Sequence, residues 1–155
     1  MIIQLKKVKD GPPTLVCLRP DGSRTWSRLH PFFPVHDLTH CAVESVLGLS
    51  QAFFGLVDAG WEIDDFARPG SARDLPPEAL HAERIVGVLD LERASGREYS
   101  VAEFKAAAPG ETSITSAQLA AVRSLRDDLH QRWIALAPGQ TLEIPFPVLP
   151  LTSAV

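Results

Sequence analysis

The sequence predicts an α+β fold, with a small antiparallel sheet at the N-terminus packed beside three long helices, one of them central and buried. Residues 1–30 alternate short β-prone runs with turn signals, and three later segments have helical periodicity with their own start and stop signals. A chain of 155 residues, 45% of them hydrophobic, is long enough for one core. We therefore predict a single domain over 1–155, with a β-meander at 1–30, a helical part at 35–137 and an extended tail at 140–155.

The predicted sheet begins with three runs, IIQLKKV, TLVCLR and SRTWSRL. The turn signals Asp10-Gly11-Pro12-Pro13 and Pro20-Asp21-Gly22 separate these runs, which is typical of an antiparallel meander. Near the other end of the chain, TLEIPF is suited to an edge of the same sheet, where proline is tolerated.

The first long helix is predicted to begin between Val35 and Asp37, because Pro31 and Pro34 disfavour helical backbone before them. No proline follows before Gly60, which suits a C-terminal cap, so we expect one helix of about 24 residues. Apolar residues cover most of its faces, which indicates a helix enclosed by other elements.

Two further long helices and one short one are predicted. PEALHAERIVGVLDLERASG has proline at its start and glycine at its end, and we expect it to pack antiparallel to the first helix. Ser100 with Glu103, and Thr115 with Gln118, have the spacing of capping boxes that begin a short and a long helix.

Composition excludes several classes of function. The net charge of −4 and the lack of a basic stretch argue against binding to nucleic acid. The apolar run Ser45–Val57 is shorter than the roughly 18–20 residues that cross a bilayer, and no signal-peptide pattern is visible, so we expect no membrane association and a cytoplasmic location. With only Cys17 and Cys41, no disulfide is expected.

The strongest functional signal is the cluster of His36, Asp37, His40 and Glu44. Side chains four residues apart lie on one face of a helix, so His36 and His40 can present two imidazoles to one metal ion. We expect a divalent metal, with zinc as the first choice.

The segment HDLTH resembles the His-Glu-x-x-His motif of zinc metallopeptidases, with Asp37 in the place of the glutamate. The resemblance implies that His36 and His40 bind zinc and that Asp37 is the general base that activates water. The longer pattern HDLTHxxxE followed by FFGLVDAGW is also similar to small bacterial proteins of uncharacterised function, which implies no activity.

The third ligand is the open question in this pattern. Glu62 would lie more than about 30 Å from His40 if the helix ran unbroken to Gly60. The six-residue spacing of a third histidine is not met, because position 46 is Val46. Glu44 remains, either as the third ligand or as the acceptor that fixes the tautomer of His40.

Other residues could add ligands to this cluster. We expect Glu92 to approach His36 if the second helix is antiparallel, and His30 is a better extra ligand than His81 or His130. Glu83 is expected, with His81, on the solvated flank of its helix.

Two functions fit the sequence. One is a metal-dependent hydrolase acting on a small molecule or a peptide, with a metal held by His36, His40 and Glu44. The other is a structural or oligomerisation module, such as a homodimer, in which the cluster is a buried hydrogen-bond network. In the second case Asp37 has an ordinary explanation as a helix N-cap.

Overall fold

The computed structural model describes residues 1–108, 110 and 112–149, and it has the predicted α+β architecture. One antiparallel sheet has the strand order β3-β2-β1-β4, formed by β1 (Ile2–Lys6), β2 (Thr14–Leu18), β3 (Arg24–Arg28) and β4 (Thr141–Pro145). Ile3 pairs with Cys17 on one side and with Ile144 on the other, so these buried side chains share one face of the sheet. The predicted meander and the return of the C-terminal segment to the sheet edge are confirmed.

The α-helices of the described residues lie between β3 and β4 in the chain: α1 (Phe33–Leu47), α2 (Phe53–Asp58), α3 (Pro77–Ser95), α4 (Val101–Ala107) and α5 (Ser116–Ala135). Both predicted capping boxes are present, at Ser100 with Glu103 and at Thr115 with Gln118. In the part of the chain described, no helix is both long and apolar enough to cross a membrane. Part of the predicted tail, 150–155, lies outside the described residues.

The prediction of one helix running to Gly60 is wrong. Helix α1 ends at Leu47, where Gly48 takes a left-handed conformation with φ of 67° and donates its backbone N–H to the Glu44 carbonyl. Helix α2 then starts at Phe53. A Cβ at Gly55 would lie 2.3 Å from the backbone oxygen of Ser50, so only glycine allows this close approach of the two segments.

Helix α1 lies at the centre of the fold, as predicted. Leu38, Cys41 and Ala42 belong to the hydrophobic cluster that fills the space between the sheet, α1 and α5. Val43 belongs to a second cluster, with buried side chains of α3, α4 and α5. Because α1 takes part in both clusters, its polar side chains are held between well-packed elements.

Candidate metal centre

Helix α1 starts early enough to include the whole histidine cluster. The helix begins at Phe33, before the predicted start, and Pro34 lies in the first turn, where its missing N–H is not needed. Phe32 occupies the N-cap position. The interpretation of Asp37 as an N-cap is therefore wrong, and so is the idea that His36 lies outside the helix.

His36 and His40 present their rings side by side on α1. Their ring centroids are 4.9 Å apart and the ring planes meet at 69°. His40 is buried, with 3% of its side chain exposed, whereas the His36 side chain keeps 20% exposure. The sequence spacing of four residues thus brings the two imidazoles together, as predicted.

Helix α3 supplies two carboxylates to this pair. The Nδ1 atom of His36 donates to Oδ2 of Asp90 at 2.7 Å. Oε1 of Glu83 lies 3.2 Å from Nε2 of His40. The earlier histidine of α1 therefore contacts the later acid of α3, and the later histidine contacts the earlier acid. This order confirms the predicted antiparallel packing of the two helices.

His36, His40 and Glu83 form a group that could hold a metal ion. Each offers one ligand atom, and these atoms all lie within 4.8 Å of one another. A tetrahedral zinc ion with bonds of about 2.0–2.2 Å spaces its ligands by roughly 3.3–3.5 Å, so binding needs only a small inward adjustment. The Glu83 side chain is 53% exposed, which leaves it free to make that adjustment.

Glu44 lies on the opposite side of the His40 ring from Glu83. Its Oε1 is 3.4 Å from Nδ1 of His40, close enough for an ion pair but without the alignment of a hydrogen bond. The same carboxylate accepts the backbone N–H groups of Phe54 at 3.2 Å and Gly55 at 3.0 Å. Glu44 is thus not one of the three residues of the group, and its place beside Nδ1 of His40 favours the second of its two predicted roles, the orientation of that ring.

Asp37 is a buried acid beside the histidine pair. Burial raises the pKa of its carboxyl to about 7, although the nearby His40 and His36 act in the opposite direction. Its Oδ2 has no hydrogen-bond partner within the described residues, and the same is true of Nδ1 of His40 and Oδ1 of Asp90. The cluster therefore contains buried polar atoms that its own hydrogen bonds do not satisfy.

His40 is surrounded by negative charge. Burial disfavours a charged imidazole, but the carboxylates of Glu44 and Glu83 outweigh this effect and raise the pKa of His40 to about 10. Partial burial acts to raise the pKa of Glu83, yet the hydrogen bond and charge of His40 lower it. Without a metal ion, His40 is therefore held as an imidazolium between two carboxylates at neutral pH.

The other predicted ligands do not join the group. His30 is exposed, and its Nδ1 accepts the backbone N–H of Phe32. Glu92 does not approach His36 but binds the guanidinium groups of Arg123 and Arg126. Three more candidates lie outside the group: His81 on α3, His130 against the Val35 carbonyl, and Glu62 in an ion pair with Arg19.

Sequence reasoning missed Glu83 and Asp90. They are seven positions apart on α3, so they lie on one face of the helix, two turns from each other. A helix predicted antiparallel to the His-x-x-x-His segment, with two acids at that spacing, is the signal that could have identified them. The expectation for Glu83, that it lies on a solvated flank, is correct about its exposure but misses its contact with His40.

Two surface cavities lie away from this group. One, of about 350 Å³, is bounded by the loop after Gly60 and includes Trp61 and Asp65. The other, of about 360 Å³, lies between the α1–α2 break and the segment at Phe146, and Glu44 is on its wall. Neither of these two cavities is lined by His36, His40 or Glu83.

Comparison of the chain with models of protein families, with curated proteins and with solved structures finds no match. What the protein does is therefore inferred from the chemistry of its own side chains.

Proposed function

We propose that the protein is a metal-dependent hydrolase in which His36, His40 and Glu83 hold one zinc ion. The observation that carries the proposal is the meeting of two imidazoles and one carboxylate within 4.8 Å. Two histidines and one glutamate are a ligand set of catalytic zinc sites, because three protein ligands leave the fourth position for water or substrate.

The carboxylates behind the histidines support the proposal. Asp90 accepts a hydrogen bond from Nδ1 of His36, and Glu44 lies against Nδ1 of His40. Metal-binding histidines commonly have such an acceptor at the far ring nitrogen, because it fixes the tautomer and the orientation of the ring. In both residues Nε2 is then the atom left for the metal.

Asp37 is the group proposed to accept a proton. A zinc ion in such a site lowers the pKa of a bound water and polarises a carbonyl group. Asp37 lies next to His36 in the chain and within electrostatic range of His40 and Glu83, and its buried Oδ2 has no hydrogen-bond partner among the described residues. The proposed substrate is a small molecule or peptide with a hydrolysable bond.

A structural role is the second candidate. The absence of the three ligands from the walls of the two cavities favours it, since many enzymes bind substrate in a deep pocket. In the part of the chain that the structure describes, one buried polar atom each of Asp37, His40 and Asp90 has no hydrogen-bond partner. This argues against a purely hydrogen-bonded network, because a buried network stabilises the fold only when its members are satisfied.

Metal analysis tests the site. The untagged protein, purified without added metal, is expected to contain one zinc ion per chain by elemental analysis. His36→Ala, His40→Ala and Glu83→Gln should reduce the zinc content to less than about one tenth. His81→Ala and Glu98→Gln are matched controls outside the group and should retain it. Zinc content that His36→Ala and His40→Ala do not change would overturn the metal site.

A second measurement separates the hydrolase from a structural site. The zinc-loaded protein is assayed against a panel of chromogenic esters, amides and phosphoesters, together with Asp37→Asn. We expect hydrolysis that depends on zinc and falls by about 10²–10⁴-fold in Asp37→Asn, while the zinc content is unchanged. If the protein binds one zinc ion per chain but hydrolyses no member of the panel, the hydrolase is rejected and the structural role is supported.

A further inference from the structure

His36 belongs to a closed ring of four side chains, together with Asp90, Arg93 and Phe32. His36 donates to Oδ2 of Asp90, and Oδ1 of Asp90 faces Nε of Arg93 at 3.7 Å. The guanidinium of Arg93 lies over the ring of Phe32, 5.1 Å from its centroid. Phe32 in turn packs on His36, with the ring centroids 5.6 Å apart and the planes at 34°. Each member of the ring therefore restricts the next.

His36 needs such support more than His40 does. His40 is almost completely buried between α1 and its neighbours, whereas the His36 side chain is 20% exposed. Its one hydrogen bond within the described residues is the one to Asp90. Phe33 adds an edge contact, with centroids 5.8 Å apart and planes at 85°. The orientation of the His36 ring thus depends on Asp90 and on contacts with the rings of Phe32, Phe33 and His40.

Asp90 is itself incompletely held. Its Oδ1 is buried and has no hydrogen-bond partner within the described residues. Arg93 follows one turn later on α3, and its guanidinium is the cation that faces this oxygen. A positive charge at this place offsets part of the cost of burying the carboxylate and keeps it an acceptor for His36.

We infer that Arg93 and Phe32 are positioning residues of the proposed metal site, acting on His36 through Asp90 and through ring packing. Together they keep the proton of His36 on Nδ1 and point Nε2 toward Nε2 of His40 and Glu83. Arg93 acts on His36 only through Asp90 and Phe32, so replacing Arg93 should weaken metal binding less than replacing Asp90 does. The effect on metal affinity rests on the proposed function, whereas the effect on the His36 tautomer does not.

The tautomer is tested in the metal-free protein. Imidazole nitrogen–proton NMR spectra are recorded at about pH 8 for the wild type, Arg93→Met, Arg93→Lys and Phe32→Leu. We expect His36 to hold its proton on Nδ1 in the wild type, with slow exchange against solvent. Arg93→Met and Phe32→Leu should mix the two tautomers and speed the exchange about three- to tenfold, and Arg93→Lys should restore part of the wild-type signal.

Arg97→Met is the matched control for Arg93→Met. Arg97 also lies over an aromatic ring, that of Tyr99 at 4.5 Å, and pairs with an acid, Glu103 at 3.0 Å, but away from His36. The control variant should keep the wild-type His36 signal. Identical His36 spectra in Arg93→Met, Phe32→Leu and Arg97→Met would overturn the inference, whether or not the protein binds metal.

Metal binding gives the second readout. Zinc dissociation constants are measured by competition with a chromophoric chelator, and the visible spectrum of the cobalt-substituted protein reports the ligand geometry. We expect Arg93→Met to weaken zinc binding about three- to tenfold and Asp90→Asn about 10–100-fold, with a changed cobalt spectrum in both. Unchanged affinity and spectrum in Arg93→Met would overturn the metal part of the inference. A wild-type protein that binds no zinc would instead reject the proposed function, and the tautomer would still decide the role of Arg93.

Discussion

The carboxylate of Glu44 accepts the backbone N–H of Gly55 at 3.0 Å, across the break between α1 and α2. Its other oxygen lies 3.4 Å from Nδ1 of His40. One buried side chain therefore accepts hydrogen bonds from the first turn of α2 and also forms an ion pair with a candidate metal ligand. The break in the helix and the geometry of the site depend on the same residue.

Replacing Glu44 should affect both features. We expect Glu44→Ala to lower the free energy of unfolding of the metal-free protein by about 3–5 kcal/mol, because it leaves the His40 imidazolium without an ion-pair partner and two backbone N–H groups without their acceptor. Glu44→Gln keeps one acceptor oxygen and should cost about 1–3 kcal/mol. Urea denaturation in the presence of a chelator measures both values. Glu98→Ala, at an exposed position, should change stability by less than about 0.5 kcal/mol; a Glu44→Ala protein as stable as this control would contradict the role of Glu44.

Gly55 and Gly87 provide a matched pair of glycine-to-alanine substitutions. A Cβ at Gly55 would lie 2.3 Å from the Ser50 oxygen, so Gly55→Ala should destabilise the protein by about 3 kcal/mol or more. A Cβ at Gly87 on α3 would meet no atom of the described residues within 4 Å, so Gly87→Ala should raise stability by about 0.5–1 kcal/mol. Thermal and urea unfolding measure the two changes, and equal stability of the two variants would show that the α1–α2 break is not tightly packed.

Zinc binding should release a proton from His40. The pKa of about 10 means that His40 is protonated at pH 7 in the metal-free protein, whereas a zinc ligand must be neutral. The apparent affinity is therefore expected to increase by about tenfold per pH unit between about pH 6 and 9, from this group alone. Calorimetric titrations in two buffers of different ionisation enthalpy measure the released protons. A binding enthalpy that is the same in both buffers would contradict the assignment.

His130 predicts a loss of stability in weak acid. Burial lowers the pKa of His130 below its usual 6.5, although its hydrogen bond with the Val35 carbonyl acts in the opposite direction. The folded protein favours the neutral ring of His130. The contribution of this ring to the free energy of unfolding is therefore fully present above about pH 6.5 and is lost as the pH falls through the lowered pKa. We expect His130→Gln to lose less stability than the wild type between pH 7 and 5, as measured by urea denaturation at each pH. Parallel pH profiles would show that His130 is not the group responsible.

Local signals explain how much of the fold could be predicted. The strands and the capping boxes at Ser100 and Thr115 are determined by short stretches of sequence, and each is present in the structure as predicted. The end of α1 at Gly48 was not predictable in the same way, because apolar residues continue on both sides of it. The break is stabilised by the contact of Glu44 with the first turn of α2, and that contact exists only in the folded chain.

In the candidate site, too, the residues on one helix could be predicted and those that tertiary packing brings in could not. His36 and His40 could be identified because both lie on one helix, where a spacing of four residues fixes their relation. Glu83 and Asp90 come from α3, and which face of α3 meets α1 is decided by the packing of side chains from several elements. From the sequence we predict that Glu92 approaches His36. In the structure Asp90 makes the contact with His36, and Glu92 lies on another face of α3, where it binds Arg123.

The proposed ligands come from two helices, with the histidines on α1 and Glu83 on α3. A bound ion would thus cross-link two segments that are separated in the chain by α2 and the loop that follows it. Such a cross-link restricts the unfolded chain as well as joining the folded helices. Metal supply would then set the lifetime of the folded protein as well as its chemistry, and removal of the ion would first loosen the contact between α1 and α3.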